Sequence, residues 1–218
     1  MNILVLTIHA DPTIHPGAEE GGGTHLYVNE IINLLIYKQI NSLFITRKAS
    51  PGKDNFEYGT VSIARIRMGP EAQWNKNNLE EMDTTINKMI SKELKLRKFI
   101  PDLIHSIYWC SGRAALFISE RYNIPFIHTI ISNGYRKKIT GYYVSEKRIE
   151  TEIKIFHSAN ILISVSNQEK EDLIHFYNVP ASKIMVIGRG VDNIFLNDLY
   201  DSKGTLLPKL EPNIKKIK

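Results

Sequence analysis

Residues 101–129 read PDLIHSIYWCSGRAALFISERYNIPFIHT. Two short apolar runs, Asp102–Ser106 and Phe126–Thr129, flank an amphipathic segment from Gly112 to Arg121. Each run has the length of a strand, and the segment between them has the length and apolar spacing of a helix. A strand, a helix of about ten residues and a second strand form the unit that builds parallel sheets, because parallel neighbours need a long crossover.

The same rhythm continues outward in both directions. Asn2–Ile8 (NILVLTI) is a nearly unbroken apolar run, as expected for a parallel strand buried on both faces. A loop rich in Gly, Pro and His, His9–Gly23, leads to a helical pattern carried by Leu26, Val28, Ile31, Ile32, Leu35 and Ile36. Ser42–Thr46 and Thr60–Arg67 read as strands, and Leu79–Phe99 as a helix that Pro101 ends. Beyond the opening stretch come a helix over Glu146–His157, a strand over Ile161–Val165, a helix over Gln168–Tyr177 and a strand over Lys183–Ile187. The prediction is an α/β fold: a single Rossmann-like, three-layer domain over residues 1–195 with a mostly parallel sheet of six or seven strands, then a linker or tail over 196–218. In such sheets ligands lie beyond the carboxyl ends of the strands. The loops His9–Gly23, Gly69–Asn78 and Ile130–Ser145 are therefore expected along one edge.

Composition narrows the classes. Hydrophobic residues make up 43% and charged residues 23% of the 218, enough for one core in a soluble domain. Cys110 is the only cysteine, so no intramolecular disulfide forms. Ile3–Leu6 is too short and lacks the basic leader of a signal peptide, and no run approaches the roughly 20 apolar residues of a membrane span. A cytoplasmic location is expected. The net charge of +5 concentrates at Arg136–Lys138 and at Lys209, Lys215, Lys216 and Lys218. That distribution suits phosphate-bearing ligands or weak contact with an anionic membrane surface, and equally a solvated face with a frayed end. No aromatics interleave with the basic residues, so nucleic acid is not an expected partner.

Three segments carry candidate chemistry. In EEGGGTHLYVNE (Glu19–Glu30) glycines precede a helix, where exposed N–H groups and the helix dipole favour an anion such as phosphate. A turn that needs positive φ is the structural alternative, and no G-x-G-x-x-G dinucleotide fingerprint follows the strand. His105, Tyr108, Trp109, His128 and Thr129 cluster at two neighbouring strand ends, where histidines serve either packing or a crevice. Arg148 sits near a helix start, an unfavourable place for a cation unless an anion or a carboxylate compensates it.

The ordered set GGTHLYV, GPEAQWNK, PDLIHSIYWCSG, IPFIHT, RIETE, SNQEKEDL and GRGVD resembles family 4 of the retaining glycosyltransferases, which have the two-domain GT-B fold. The likeness covers Asn2–Phe195 and is nearest to sucrose-phosphate-synthase-like and inositol-phosphate N-acetylglucosaminyltransferase-like members. It implies the acceptor-side half of an enzyme that moves a hexosyl group from a nucleotide sugar to a small acceptor, phosphorylated in the nearest members, with retained anomeric configuration. Gly22 and Gly23 match the pair whose backbone approaches the donor diphosphate. Lys76, Tyr108, Ser132 and Arg148 match positions around an acceptor phosphate. No metal and no cofactor are implied, the nucleotide sugar being a substrate.

Two departures from the family pattern stand out. Many members read H-T-x-H-[ST], whereas this chain reads HTIIS, so Ile131 stands where the second histidine is expected. His128 and His25 are the remaining candidates for that role. The paired glutamates of the donor-binding domain have no match, since Glu211 is the only acidic residue after Asp201. A truncated chain is expected, needing a second domain in cis or in trans for activity. A non-catalytic remnant that binds phosphorylated ligands is the alternative. A nicotinamide-dependent dehydrogenase shares the fold class and lacks the fingerprint.

Overall fold

The computed structural model describes residues 1–14, 22–69 and 83–190, and the compact unit within it is Met1–Ile187. The strands are β1 (Asn2–Leu6), β2 (Asn41–Arg47), β3 (Asn55–Tyr58), β4 (Val61–Ile66), β5 (Leu103–Ile107), β6 (Phe126–Thr129), β7 (Ile161–Ser164) and β8 (Ile184–Val186). The helices are α1 (Gly23–Tyr37), α2 (Asp83–Leu96), α3 (Trp109–Tyr122), α4 (Gly134–Ile139), α5 (Glu146–Ser158) and α6 (Asn167–Tyr177). One sheet runs β3-β4-β2-β1-β5-β6-β7-β8, parallel throughout except for β3 against β4. The expected Rossmann-like α/β architecture is present.

Strand alternation divides the core. Ile3 and Val5 of β1 join Phe44, Val61 and Ile63 under Val28, Ile32 and Leu35 of α1. Leu4 and Leu6 point the other way, into a larger cluster with Leu43, Ile45, Ile104, Ile86 and Ile90 of α2, Ile118 of α3 and Ile155 of α5. Consecutive residues of β1 are thus buried on opposite faces, which explains its unbroken apolar run. At Gly112 the layers meet closely: a Cβ there would lie 2.8 Å from Ile155 Cδ1 and 2.9 Å from His128 Cε1.

The chain leaves β1 toward β2 on one side, while β5 lies on the other. Between β1 and β5 the winding reverses, and such a switch point opens a crevice at the carboxyl ends. Here the two strand exits are stapled together. Ile8 N–H donates to Ser111 Oγ at 2.9 Å, and the His9 and Tyr108 rings meet with centroids 4.3 Å apart, tilted by 40°.

Several details differ from the sequence expectation. Strand β3 was not anticipated: NFEY is short, mostly exposed and polar, as suits an edge strand, and lacks an apolar signal. Helix α4 lies inside the expected loop Ile130–Ser145; it is only six residues long and starts on an Asn133 cap rather than on apolar periodicity. His105 and His128 lie within β5 and β6, not beyond them. Lys76, residues 79–82 of the expected helix and the tail 196–218 lie outside the described residues.

Asp11, in the loop after β1, is fully buried against Arg65 of β4, with Oδ2 2.8 Å from Nε and 2.7 Å from Nη2. Arg65 also donates to the carbonyls of Ser50 and Lys53, so its guanidinium holds the loop after β2 as well. Removing one partner of a buried pair leaves an uncompensated charge, typically at a cost of about 3–5 kcal/mol. Urea unfolding of Asp11→Ala should show a loss of this size. The double variant Asp11→Ala with Arg65→Met should recover a large part of it.

Candidate functional site

The site forms where three chain segments leave the carboxyl edge. Tyr108 follows β5 directly and caps α3 with φ 70° and ψ 154°, a region that is nearly exclusive to glycine. Ile131 follows β6 with φ 66°, equally foreign to a β-branched side chain. Such conformations cost roughly 1–3 kcal/mol each and persist only when the surroundings enforce them. For Tyr108 the enforcement is visible. Its N–H donates to Thr129 O at 2.9 Å, its carbonyl accepts from Ser111 and Gly112, and its ring is buried against His9.

Arg148 reaches this point from the first turn of α5. Its guanidinium lies 5.5 Å from the Tyr108 ring centroid and 5.4 Å from that of Trp109, and Nη2 approaches the Ser132 carbonyl at 3.4 Å. Only 8% of the residue is exposed. The compensating group is Glu152, one turn on, whose Oε1 accepts from Nε at 2.9 Å. Burial opposes the charge, but the Glu152 carboxylate, with contributions from the Tyr108 and Cys110 side chains, outweighs it and holds the guanidinium's pKa above its ordinary value. Nη1 makes no hydrogen bond among the described residues. Tyr108, Arg148 and the backbone carbonyl of Ser132 therefore lie together, and no contact of the Ser132 hydroxyl with Arg148 is seen among the described residues. Trp109, which sequence reasoning gave no role, forms a second aromatic wall for Arg148. Its sequence signal was its place just past the end of the strand, beside Tyr108.

Gly22 and Gly23 open α1. Gly22 supplies no side-chain cap, and no acidic residue lies in the first turn. Gly22 has φ −86°, which any residue adopts, and a Cβ built on it would meet nothing within 4 Å. Among the described residues, neither backbone strain nor packing calls for glycine there. From the next turn, the Tyr27 hydroxyl lies 3.4 Å from Thr129 Oγ1 at the end of β6, and Tyr27 packs on the same apolar cluster as Ile131.

The remaining candidates occupy other surroundings. His25 is buried in the first turn of α1. His128 is fully buried, with Nδ1 2.8 Å from Ser106 Oγ and its ring beside Phe156. Burial, with a smaller contribution from His105, pushes its pKa down to about 3; burial alone lowers that of His105 to about 4. Both imidazoles are neutral packing groups near pH 7. Ile131 turns its side chain onto both apolar clusters. The basic run is largely compensated, since Arg136 is clamped on Asp172 and Lys138 pairs with Glu146. No helix among the described residues is long and apolar enough to cross a membrane.

A family model described as Glycosyltransferase Family 4 matches residues 21–193. A D-inositol 3-phosphate glycosyltransferase of Arthrobacter sp. (strain FB24) is 28% identical over 200 residues, covering 87% of this chain and 47% of the relative. The chain thus spans about half the length of the curated relatives it matches. Among solved structures, sucrose-phosphate synthase from Thermosynechococcus elongatus superposes with a TM-score of 0.79 at 24% identity, over 91% of this chain and 49% of that one. Anabaena HepE in complex with UDP and glucose gives a TM-score of 0.57 at 14% identity, over 93% of this chain and 47% of that one. Both structures show the same fold.

The two histidines generate a pH prediction. Their folded pKa values lie below the ordinary 6.5, so the unfolded chain binds more protons in the interval between. The stability they contribute is full above pH 6.5 and is lost as pH falls through about 4 for His105 and about 3 for His128. Between pH 6 and 5, where most carboxylates stay charged, each histidine should contribute a slope of roughly 1.4 kcal/mol per pH unit. Denaturant titrations across that interval should show the combined slope, and His128→Asn should remove about half of it.

Proposed function

The chain belongs to glycosyltransferase family 4, and from that premise we propose that it is the acceptor-side domain of an enzyme transferring a hexosyl group from a nucleoside-diphosphate sugar to a small phosphorylated acceptor. The observation that carries this reading is the meeting of Arg148, Tyr108 and the Ser132 backbone at the carboxyl edge of the sheet, beside the β1–β5 switch point. A guanidinium held by Glu152 on one side presents its remaining N–H groups in a fixed fork, the geometry that suits a phosphate. Lys76 would add a second cation. The lack of any contact for a Cβ at Gly22 within 4 Å suits the close approach of a diphosphate to the backbone, with the dipole of α1 stabilising its charge. The similarity to a D-inositol 3-phosphate glycosyltransferase supports a phosphorylated polyol as acceptor, and the UDP complex of a fold neighbour supports a nucleotide-sugar donor.

In the reaction the bond from the anomeric carbon to the diphosphate oxygen breaks as the bond to the acceptor hydroxyl oxygen forms. The acceptor's proton leaves with the nucleoside diphosphate. Preorganised N–H donors and cations stabilise the charge that develops on the leaving group. The nucleotide end of the donor is held by a second domain, in cis or in trans, and catalysis requires the two walls to close on the reacting atoms. A non-catalytic ligand-binding role is the second reading. It is favoured by Ile131, whose apolar side chain packs on the core where family members often present a histidine.

Titration with inositol 3-phosphate, followed by calorimetry or amide NMR, tests the acceptor site. Binding should be weak in this domain alone, roughly millimolar, or about −4 kcal/mol, and should weaken with salt. Arg148→Lys keeps a charge beside Glu152 but loses the planar fork, and should weaken binding by about tenfold. Lys215→Ala should leave it unchanged. Equal losses from the two variants would reduce the site to diffuse attraction. Sugar transfer on addition of a relative's donor domain separates the enzyme from the binding module.

A further inference from the structure

Helices α2 and α3 lie side by side on one face of the sheet and enclose a groove of about 730 Å³. Its walls reach Phe117 and Arg121 in the second half of α3, and α3 runs back from the carboxyl edge. Arg121 lies 13 residues beyond Tyr108, a helical rise of roughly 20 Å. The Arg121 end of the groove is therefore well removed from the crevice at the switch point, whereas its Asp83 end reaches Arg113, whose guanidinium lies 5.7 Å from the Trp109 ring centroid. The groove is also large enough for a small ligand.

Its charge is mainly positive, with Asp83 as the one carboxylate in the lining. Lys88, Lys92 and Lys95 follow one another at helical spacings of four and three along the groove side of α2, and Arg121 faces them from α3. None of the four has an ion-pair partner among the described residues. The carboxylates nearby are already taken: Asp83 pairs with Arg113, while Glu93 and Glu57 both pair with Arg97. Like charges at these spacings repel, and a multivalent anion between them reverses the sign of the interaction. Arg121 is steadied from behind, its guanidinium 6.0 Å from the Phe117 ring centroid and 5.7 Å from that of Tyr122.

A second observation concerns the polar wall. Ser91 is hydrogen-bonded to Tyr122. The Oδ1 atom of Asn87, by contrast, is buried with no hydrogen-bond partner among the described residues, and Asn87 lines the groove. A buried polar atom without a partner is unfavourable and points to a group that completes it on binding. A ligand hydroxyl satisfies Oδ1 when the carboxamide turns its oxygen toward the groove, and with the amide turned outward it accepts from Nδ2 instead. We propose that the α2–α3 groove is a second binding site, for a small hydroxylated molecule carrying two or more phosphoryl groups. The lysines and Arg121 bind the phosphoryl oxygens, and Asn87 binds a hydroxyl.

Fructose 1,6-bisphosphate and tripolyphosphate are the probes, titrated into the full chain and followed by calorimetry and by amide shifts. Both should bind, with the largest shifts in α2 and the second half of α3. The double variant Lys88→Ala, Lys92→Ala changes only exposed side chains and should weaken both probes by about tenfold, the scale of one charge-assisted contact. Asn87→Ala should weaken the bisphosphate by about threefold and leave tripolyphosphate unchanged, because only the former offers a hydroxyl. Arg148→Lys should leave the binding read from amide shifts in α2 and the second half of α3 unchanged, which separates this site from the proposed acceptor crevice. Four outcomes overturn the proposal: no binding; an equal loss on replacing Lys209, Lys215 and Lys216 by Ala; a loss in Arg148→Lys that matches the double variant; or lysine-dependent sedimentation with phosphatidylglycerol vesicles while neither soluble probe binds. An Asn87→Ala variant that affects both probes alike removes the hydroxyl from the assignment.

Discussion

The carboxylate of Glu152 is the constraint on which the crevice depends. It is fully buried, and a buried carboxylate is tolerable only when its oxygens are occupied. Oε1 accepts from Arg148 Nε, and Oε2 accepts from the Gly134 N–H at 2.8 Å and from the Tyr177 hydroxyl. These donors belong to α5, α4 and α6, so one side chain fixes three helices and the angle of the guanidinium. Tyr177, held against a negative charge and shielded from water, has its own pKa driven upward, first by burial and then by Glu152, so it remains a donor. Gly134 completes the arrangement, for a Cβ there would come within 2.6 Å of Ile149 Cδ1 and 2.9 Å of Glu152 Oε2.

A second tension sits in the backbone. Tyr108 and Ile131 leave adjacent parallel strands in conformations that L side chains rarely adopt. Core packing and strand-exit hydrogen bonds hold them there, and the result is an aromatic wall directly beside Arg148. Strain at Tyr108 and the desolvated charge of Arg148 both lower stability, and both are compensated by burial elsewhere in the cluster that joins α3, α5 and α6. Positions that cost stability at the carboxyl edge of a parallel sheet are the ones at which a ligand-binding geometry is expected.

The cations show how little can be inferred from a count of basic residues. Arg136 and Lys138 stand out in the sequence as a positive cluster, yet Asp172 and Glu146 neutralise them. Lys88, Lys92, Lys95 and Arg121 are scattered through two segments, yet the packing of α2 on α3 collects them around one groove whose single carboxylate, Asp83, is paired with Arg113. Proximity along the chain and proximity in the fold select different groups.

The layer architecture was legible in the sequence because its cause is local. A strand buried on both faces must be apolar throughout, and a covering helix must be apolar every three or four residues, so NILVLTI and the pattern from Leu26 to Ile36 declare themselves without a partner. Strand β3 and helix α4 were not legible, since each is short, polar and stabilised by what it packs against. Motif resemblance was enough to single out Tyr108, Ser132 and Arg148. It did not specify Glu152 as the group that holds Arg148, nor Trp109 as its second wall, because those roles follow from the placement of α3, α4, α5 and α6 around one point. Sequence alone determined the periodicities and hence the α/β class. Only the tertiary structure decided which charges meet, since pairing depends on distances of a few ångströms between segments far apart in the chain.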